Sequence, residues 1–458
     1  MNINRKWTYM VRVVSVYLVI MCAGCENYLD VQSNSAFEVP KSLNSLRRLL
    51  DASAEMNRSI PSIGEVSADD YFVQDVTLDR ASETHQQAYY WERYEYFYNN
   101  DWAKAYFPIY TSNLVLETLP SIERTVENGR EWDEVKGTSL FFKSTHYLSL
   151  LWTFAKAYDA NTSQDDLGIV LRVSADPTVV SERSNVQECY EEILRGFREA
   201  SELLPENTTH IMRPTKVAAF GSLARCYLAM AKYDSAYFYV NKALQIKSDL
   251  LDFNSLEDVA VEESYPFSRF SKETVSYFEL VTLNPTIQER YAFIDTLLVN
   301  SYLENDLRKK AYFDFNDQGY ATFKGSYAAG AVLFGGIAVD ELYLMRSECN
   351  ARLGNLSAAL DDLNLLLNTR FIEGTFIPYS DTSQQDLLKI ILQERRKELV
   401  FRGLRWMDLK RLNQMGADID IVRNVDGETF TLRANENRWA LPLPTDIIRE
   451  TGMEQNPI

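Results

Sequence analysis

The chain has 458 residues, 46% of them hydrophobic and 12% aromatic, with 27 Tyr and a formal net charge of −18. That length and apolar content suffice for one large core or two domains. The acidic excess argues against nucleic acid and anionic surfaces as partners, because both would repel it.

The first element in chain order is a lipoprotein-type signal. Arg5, Lys6 and Arg12 flank the start of the apolar run 13–22, which is too short to stay in a bilayer as a spanning helix, and Ala23-Gly24 leads into Cys25. Residues 1–24 are therefore expected to be removed, leaving 25–458 with a lipidated Cys25 at its start. Three basic and no acidic residues leave with that segment, which moves the net charge from −18 to −21. Each buried methylene of an acyl chain contributes about 0.8 kcal/mol, and several chains on one cysteine anchor firmly where a single one does not. Beyond residue 25 no apolar run approaches the roughly 20 residues of a spanning helix. The expectation is a soluble body tethered to membrane lipid through Cys25.

Aromatic residues crowd two segments that follow, Asp69-Asp70-Tyr71-Phe72 and the run from Tyr89 to Trp102. A shallow sugar site needs ring faces to stack on the apolar faces of the sugar and nearby Asn, Asp or Arg to bond its hydroxyls. Tyr71, Trp91, Tyr94 and Tyr96 are candidate contacts on that ground, and Tyr320, in the patch 312–320, is a fifth. Trp102, Tyr106 and Tyr110, four residues apart, fit a buried helical stripe instead.

Helical periodicity dominates from about residue 139. An aromatic-rich helix spans 139–159. A capping box at Ser184-Asn185-Val186-Gln187 opens a second helix, whose apolar face runs from Val186 to Leu204 before Pro205 closes it. After Arg213-Pro214-Thr215, residues Phe220, Leu223, Ala224, Tyr227, Ala236, Val240 and Ala243 fall at the offsets of a tetratricopeptide repeat. Tyr343, Ser347, Gly354, Ala359, Leu363 and Leu366 repeat those offsets. The two copies are about 120 residues apart, so a continuous solenoid is not expected; helix pairs over about 139–247 and 338–412 are expected to be embedded in one irregular domain.

Residues 248–337 carry Pro, Gly and short β-prone runs, and 420–458 carry Asp426-Gly427 between alternating segments, so both read as loops with short strands or hairpins. Cys189, Cys226 and Cys349 lie far apart on apolar helix faces and read as buried free thiols. His85, His146 and His210 are scattered, HxxxH and HExxH spacings are absent, and the one CxxC spacing, Cys22 to Cys25, belongs to the signal and its lipidation site, so no metal or cofactor is assigned.

The segment Ile391-Leu392-Gln393-Glu394-Arg395-Arg396-Lys397-Glu398-Leu399-Val400-Phe401-Arg402-Gly403-Leu404-Arg405-Trp406-Met407-Asp408-Leu409-Lys410-Arg411 resembles the most characteristic motif of the SusD/RagB family of outer-membrane nutrient-binding lipoproteins. Cys25 to Asp30, Trp102 to Asn113, Leu167-Gly168-Ile169, Arg213 to Lys216, Glu341 to Arg346 and Gln455-Asn456-Pro457 follow the family in order, so the resemblance covers the chain after the signal. Arg402 departs from it, standing where many members carry an acidic residue. The resemblance implies a mostly α, SusD-like single domain of tetratricopeptide-like helix pairs with irregular loops and short hairpins.

It also implies a cell-surface protein that binds a nutrient, foremost an oligosaccharide, and delivers it to a SusC-like TonB-dependent outer-membrane transporter. Glu26 and Asp30 are similar to the signal that sends such lipoproteins to the outside of the cell. A peptide-binding uptake protein of the RagB type and a tetratricopeptide scaffold stay open beside this reading. Glu394, Glu398 and Asp408, among arginines at helical spacing, read as a structural ion-pair network with Trp406 packed in the core beside it. No catalytic residue is assigned. If Cys25 is the anchor, Cys25→Ser moves the protein from the membrane to the soluble fraction of lysed cells, and tight membrane association of that variant would rule the anchor out.

Overall fold

The computed structural model describes residues 40–95 and 97–457. The signal segment, Cys25 and Tyr96 lie outside the described residues. Two units divide the chain, Met1–Ser42 and Leu43–Ile458, and everything below concerns the second.

The periodic segments form α1 (Leu43–Leu50), α2 (Asp101–Thr118), α3 (Gly129–Phe154), α4 (Val186–Leu203), α5 (Lys216–Ala229), α6 (Tyr233–Ile246), α7 (Val339–Arg352), α8 (Leu356–Asn368), α9 (Gln384–Glu398) and α10 (Arg405–Gln414). From α2 to α8 each helix packs on the next, and α9 lies against α7. The series therefore runs unbroken through both repeats, contrary to the expectation from their separation in sequence. Residues 248–337 loop out between α6 and α7, yet these two helices still pack together.

Caps and small residues set the local geometry. The capping box of α4 uses Asn185 and Glu188, one residue later than the sequence suggested. The cause is the preceding strand: Arg183–Asn185 is paired with Leu167–Val170, so Ser184 is still extended. Thr215 caps α5 by accepting from the Ala218 amide, and such a cap contributes about 1 kcal/mol. A Cβ on Gly196 would collide with Ser144 Oγ, so any larger residue there would displace that hydroxyl at the contact of α3 with α4.

All strands are short and pair antiparallel in two-stranded ribbons: β1 (Tyr71–Val73) with β5 (Ala292–Ile294), β2 (Leu167–Val170) with β3 (Arg183–Asn185), β4 (Thr274–Ser276) with β8 (Ile337–Ala338), β6 (Phe313–Phe315) with β7 (Ala321–Phe323), and β9 (Ile421–Val425) with β10 (Glu428–Leu432). Asp426 and Gly427 join the last pair with φ of 49° and 82°, the left-handed backbone a two-residue hairpin turn requires. One hydrophobic core extends from Leu43 to Leu443, and a smaller one fills the space among α7, α8 and α9 around Leu344, Leu363 and Ile391. Cys189, Cys226 and Cys349 are buried free thiols within these cores or beside them.

A chain of ion pairs threads the interior. Arg308, from the looped-out region, is fully buried and reaches Asp306 at 2.7 Å, Glu394 at 2.6 Å and Glu398 at 3.0 Å. The other oxygen of Glu398 accepts from Arg370 at 2.7 Å, and Arg370 continues to Glu273 at 2.8 Å. Tyr327 donates to Glu273 at 2.6 Å and sits 3.9 Å under the guanidinium of Arg402, which pairs with Asp340 at 2.7 Å. The departure at Arg402 thus has its own partner set. On the other side of the motif Arg411 joins Glu348 and Asp408, and Asp408 accepts from Arg395 at 2.8 Å. Burial pushes the Glu398 carboxyl up, but the two guanidiniums outweigh it and hold it below the usual range. Removing one member of such a set strands a buried charge, so Glu398→Ala should lower the unfolding free energy by about 3–5 kcal/mol, measurable as a fall in the urea midpoint.

Candidate functional site

Strand alternation builds the most ligand-like surface. In β1, Tyr71 and Val73 point inward and Phe72 outward. Phe72 pairs with Phe293 of β5, and their rings lie 5.7 Å apart, Phe72 half-buried and Phe293 buried. The turn between β6 and β7 adds Tyr320, whose ring lies 5.3 Å from Phe72 and 5.4 Å from Phe293. That turn is set by Asn316, which accepts from the Gln318 and Tyr320 amides, and by Gly319 at φ 79°. Gln74 donates to Gln318 at 3.1 Å beside the rings. Two aromatic segments more than 240 residues apart in sequence thus meet on one face.

A concavity of about 130 Å³ adjoins this ribbon, lined by Thr77, Arg80, Ala81, Pro285, Thr286 and Tyr291. Thr286 Oγ1 lies 3.3 Å from the Tyr71 hydroxyl, and Tyr291 directly precedes β5. The Tyr291 ring is half-buried, with the Arg290 guanidinium 4.6 Å above it. Arg80 is exposed and has no carboxylate within ion-pairing distance among the described residues. The ribbon contributes rings and amides, and the concavity adds hydroxyls, the Tyr291 ring and the Arg80 guanidinium, the mixture that polyhydroxylated ligands require.

The ribbon is positioned by the motif helices. Arg405 grips Asp69 through two contacts, at 2.6 Å and 2.8 Å, and Arg396 donates to Asp70 at 2.7 Å. The Asp295 amide donates to the Asp70 carbonyl at 2.8 Å, which fixes the exit of β5 to the entry of β1. Burial drives the Asp69 carboxyl up and the Arg405 and Arg396 charges more than reverse it, while its neighbour Asp70 stays raised by burial.

The sequence-derived candidates separate on inspection. Tyr320 lies on this face. Tyr71, Trp91 and Tyr94 are 4%, 3% and 5% exposed, so they are core residues in this conformation and offer no surface to a ligand. For Tyr71 and Trp91 the physical reason is Arg423, a buried guanidinium with no carboxylate partner among the described residues: the rings of Tyr89, Trp91 and Tyr71 surround it at 3.6, 4.6 and 5.3 Å, and the Val66, Ala68 and Tyr89 carbonyls accept its protons. Tyr96 lies outside the described residues. Phe72, Phe293, Thr77, Arg80 and Tyr291 were missed; the alternation in Tyr71-Phe72-Val73 was the available signal for Phe72, and nothing in the sequence pointed to the others.

The stripe on α2 is likewise only half covered. Trp102 is buried, Tyr106 is half-buried and Tyr110 is 46% exposed. Tyr106 and Tyr110 line a mainly apolar groove of about 320 Å³ with Ile447 and Met453. The motif carboxylates Glu394, Glu398 and Asp408 are buried and engaged with arginines, and Trp406 stacks on Trp439 at 4.5 Å. Among the described residues no group of His, Cys, Asp and Glu is placed to hold a metal ion, and no helix is long and apolar enough to cross a membrane.

Comparison with known proteins agrees with this architecture. Residues 27–228 match a family model described as starch-binding and associating with the outer membrane, and residues 340–458 match the model of the SusD family. No curated protein matches the chain by sequence. A SusD superfamily protein of known structure from Bacteroides thetaiotaomicron is 20% identical, with 91% of this chain and 98% of that chain covered and a TM-score of 0.73. One from Bacteroides fragilis is 18% identical, with coverage of 90% and 98% and a TM-score of 0.72. A SusD-like carbohydrate binding protein from Bacteroides vulgatus is 18% identical, with coverage of 90% and 97% and a TM-score of 0.66.

Because Trp91 encloses Arg423 and donates to the Ser67 carbonyl at 2.9 Å, Trp91→Ala is expected to act on stability. It should cost about 3–5 kcal/mol in chemical denaturation, and a variant that keeps its stability while losing only ligand affinity would return this ring to the ligand site.

Proposed function

The chain belongs to the SusD/RagB family, and on that premise we propose that it is a lipid-anchored outer-membrane protein that binds an oligosaccharide on the β1/β5 face and passes it to a SusC-like TonB-dependent transporter. The observation that carries this reading is the meeting of Phe72 and Tyr320, packed on the buried Phe293, near the Thr77, Arg80 and Tyr291 concavity. Rings there supply stacking area, and the flanking hydroxyls, amides and guanidinium supply hydrogen bonds of the kind sugar hydroxyls exchange with water. The relative from Bacteroides vulgatus described as a carbohydrate binding protein shares the fold and supports the same ligand class.

The protein is a carrier and not an enzyme in this reading, since the carboxylates that could do acid/base work are engaged with buried arginines. Cys25 holds it to the outer membrane, facing the exterior, and the transporter takes the cargo. A carrier that must release its ligand works at roughly micromolar to millimolar Kd, or about −8 to −4 kcal/mol.

The test is a binding screen against plant, host and microbial glycans together with a mixed peptide pool. A glycan should bind, and Tyr320→Ala or Tyr291→Ala should weaken it roughly two- to tenfold, the equivalent of about 0.5–1.5 kcal/mol per stacked ring, without a change in melting temperature. Binding of peptides alone would move the protein to the RagB-type branch, and glycan binding indifferent to both substitutions would place the site elsewhere.

A further inference from the structure

A small cavity of about 50 Å³ lies where the turn Ile63–Ser67, α3, α5 and the start of α10 converge. Apolar side chains such as Phe141 and Phe278 form part of its wall, and Glu65, Thr145, Arg225, Arg402 and Trp406 are among its polar members. Glu65 is 2% exposed, and neither of its carboxyl oxygens has a hydrogen-bond partner of normal geometry, the Gly403 amide acting only as a favourable dipole nearby. Thr145 Oγ1, Trp152 Nε1 and Trp406 Nε1, on the same wall, are buried without partners as well. Four orphaned polar groups around one space are unusual, because each carries an uncompensated desolvation penalty.

The size and charge of the space limit what fills it. A water molecule needs at least about 10–15 Å³ of such volume and takes about 30 Å³ in the liquid, so the cavity has room for two or three. Arg225 is paired with Glu341 at 2.5 Å and Arg402 with Asp340 at 2.7 Å, which leaves the wall electrically balanced. Two guanidiniums on that wall disfavour a cation. Glu65 is pushed up to about 8 by burial, with Asp70 and Asp69 adding to the push and the Gly403 amide and Arg405 opposing it. At neutral pH it is therefore a neutral acid. A neutral carboxyl, a hydroxyl and an indole N–H are best served by small neutral molecules that both donate and accept.

We propose that this cavity is a permanent hydration site, in which two or three water molecules join Glu65, Thr145 and Trp406 and so tie the turn ahead of β1 to α3 and to the motif helix α10. The waters replace direct side-chain contacts at a junction where no protein group reaches the orphaned atoms. They also make the junction sensitive to pH. The folded-state value of about 8 lies above the ordinary 4.5, so the stabilisation is complete below about 4.5, declines as pH rises and is lost above about 8. Ionised Glu65 would face Asp69 and Asp70 with only Arg405, Arg225 and Arg402 to offset them.

A high-resolution crystal structure of the protein tests the proposal directly. Two or three waters within hydrogen-bond distance of Glu65, Thr145 Oγ1 and Trp406 Nε1 are expected; a dry cavity, or a halide or metal peak identified by anomalous scattering, would overturn it. Solution measurements give a second route. The number of long-lived internal waters, read from oxygen-17 relaxation of the solvent, should fall by two or three in Glu65→Leu, whose side chain is apolar. If that variant does not fold, Thr145→Val should remove at least one. Glu65→Gln should keep the waters but flatten the dependence of melting temperature on pH between about 4.5 and 8. Unchanged water counts in these apolar variants, or an unchanged pH slope in Glu65→Gln, would contradict it.

Discussion

A carboxylate shared by two buried guanidiniums is the constraint on which the rest of this structure depends. Glu398 gives one oxygen to Arg308 and the other to Arg370, and those arginines hold Asp306 and Glu273 of the looped-out region. Ions buried at this depth are poor sources of net stability, because desolvation consumes most of their attraction. What they impose is exclusivity: an alternative docking of residues 248–337 would leave one or more charges buried and unpaired. The same helix, through Arg396, and the next, through Arg405, hold Asp69 and Asp70, so one short stretch of sequence aligns both strands of the β1/β5 ribbon. The paired acids and arginines that look like acid/base machinery are instead the frame that holds the β1/β5 ribbon, the proposed ligand face.

That frame was legible in the sequence because it rests on local and repetitive signals. The apolar faces of α4, α5, α7 and α8 follow a period of 3.6 residues, and the small residues Ala224, Ala236 and Ala359 are fully buried where helices pack. The segments that carried the family resemblance also prove structural. Thr215 caps α5, Gly168 lies so close to Cys189 Sγ and the Asn185 carbonyl that no Cβ fits, and Asn456 donates at 2.7 Å to both the Phe154 and Leu441 carbonyls to fix the chain end. The continuity of the helix series was not legible, since a 90-residue excursion carries no mark of whether its two ends return to the same place.

The ligand-facing surface was harder to read for a physical reason. An aromatic run signals burial and recognition equally, and which one applies depends on what faces it across the fold. Trp91 and Tyr71 are inside because Arg423, more than 330 residues further along, inserts its guanidinium among them. Phe72 and Tyr320 share a surface because β1 pairs with β5 and the β6–β7 turn folds over it. Both outcomes are set by contacts between distant segments, which composition and periodicity do not encode.

Charge adds a final restriction on the cargo. Eleven buried cationic side chains face thirteen buried carboxyl groups among the described residues, and one of those carboxyls, Glu65, is a neutral acid at pH 7. The interior is therefore close to balanced, and most of the acidic excess of the chain is displayed on its outside. Such a field repels anions over distances up to the Debye length, about 8 Å at physiological ionic strength. Arg80 and Arg290 offset it only locally, beside Tyr291. A neutral oligosaccharide is indifferent to that field and can be held by stacking and hydrogen bonds alone. Because Phe72 projects outward from a three-residue strand whose start is tied through Asp70 to Asp295, the rings of the proposed ligand face can change without disturbing the ion pairs that hold them.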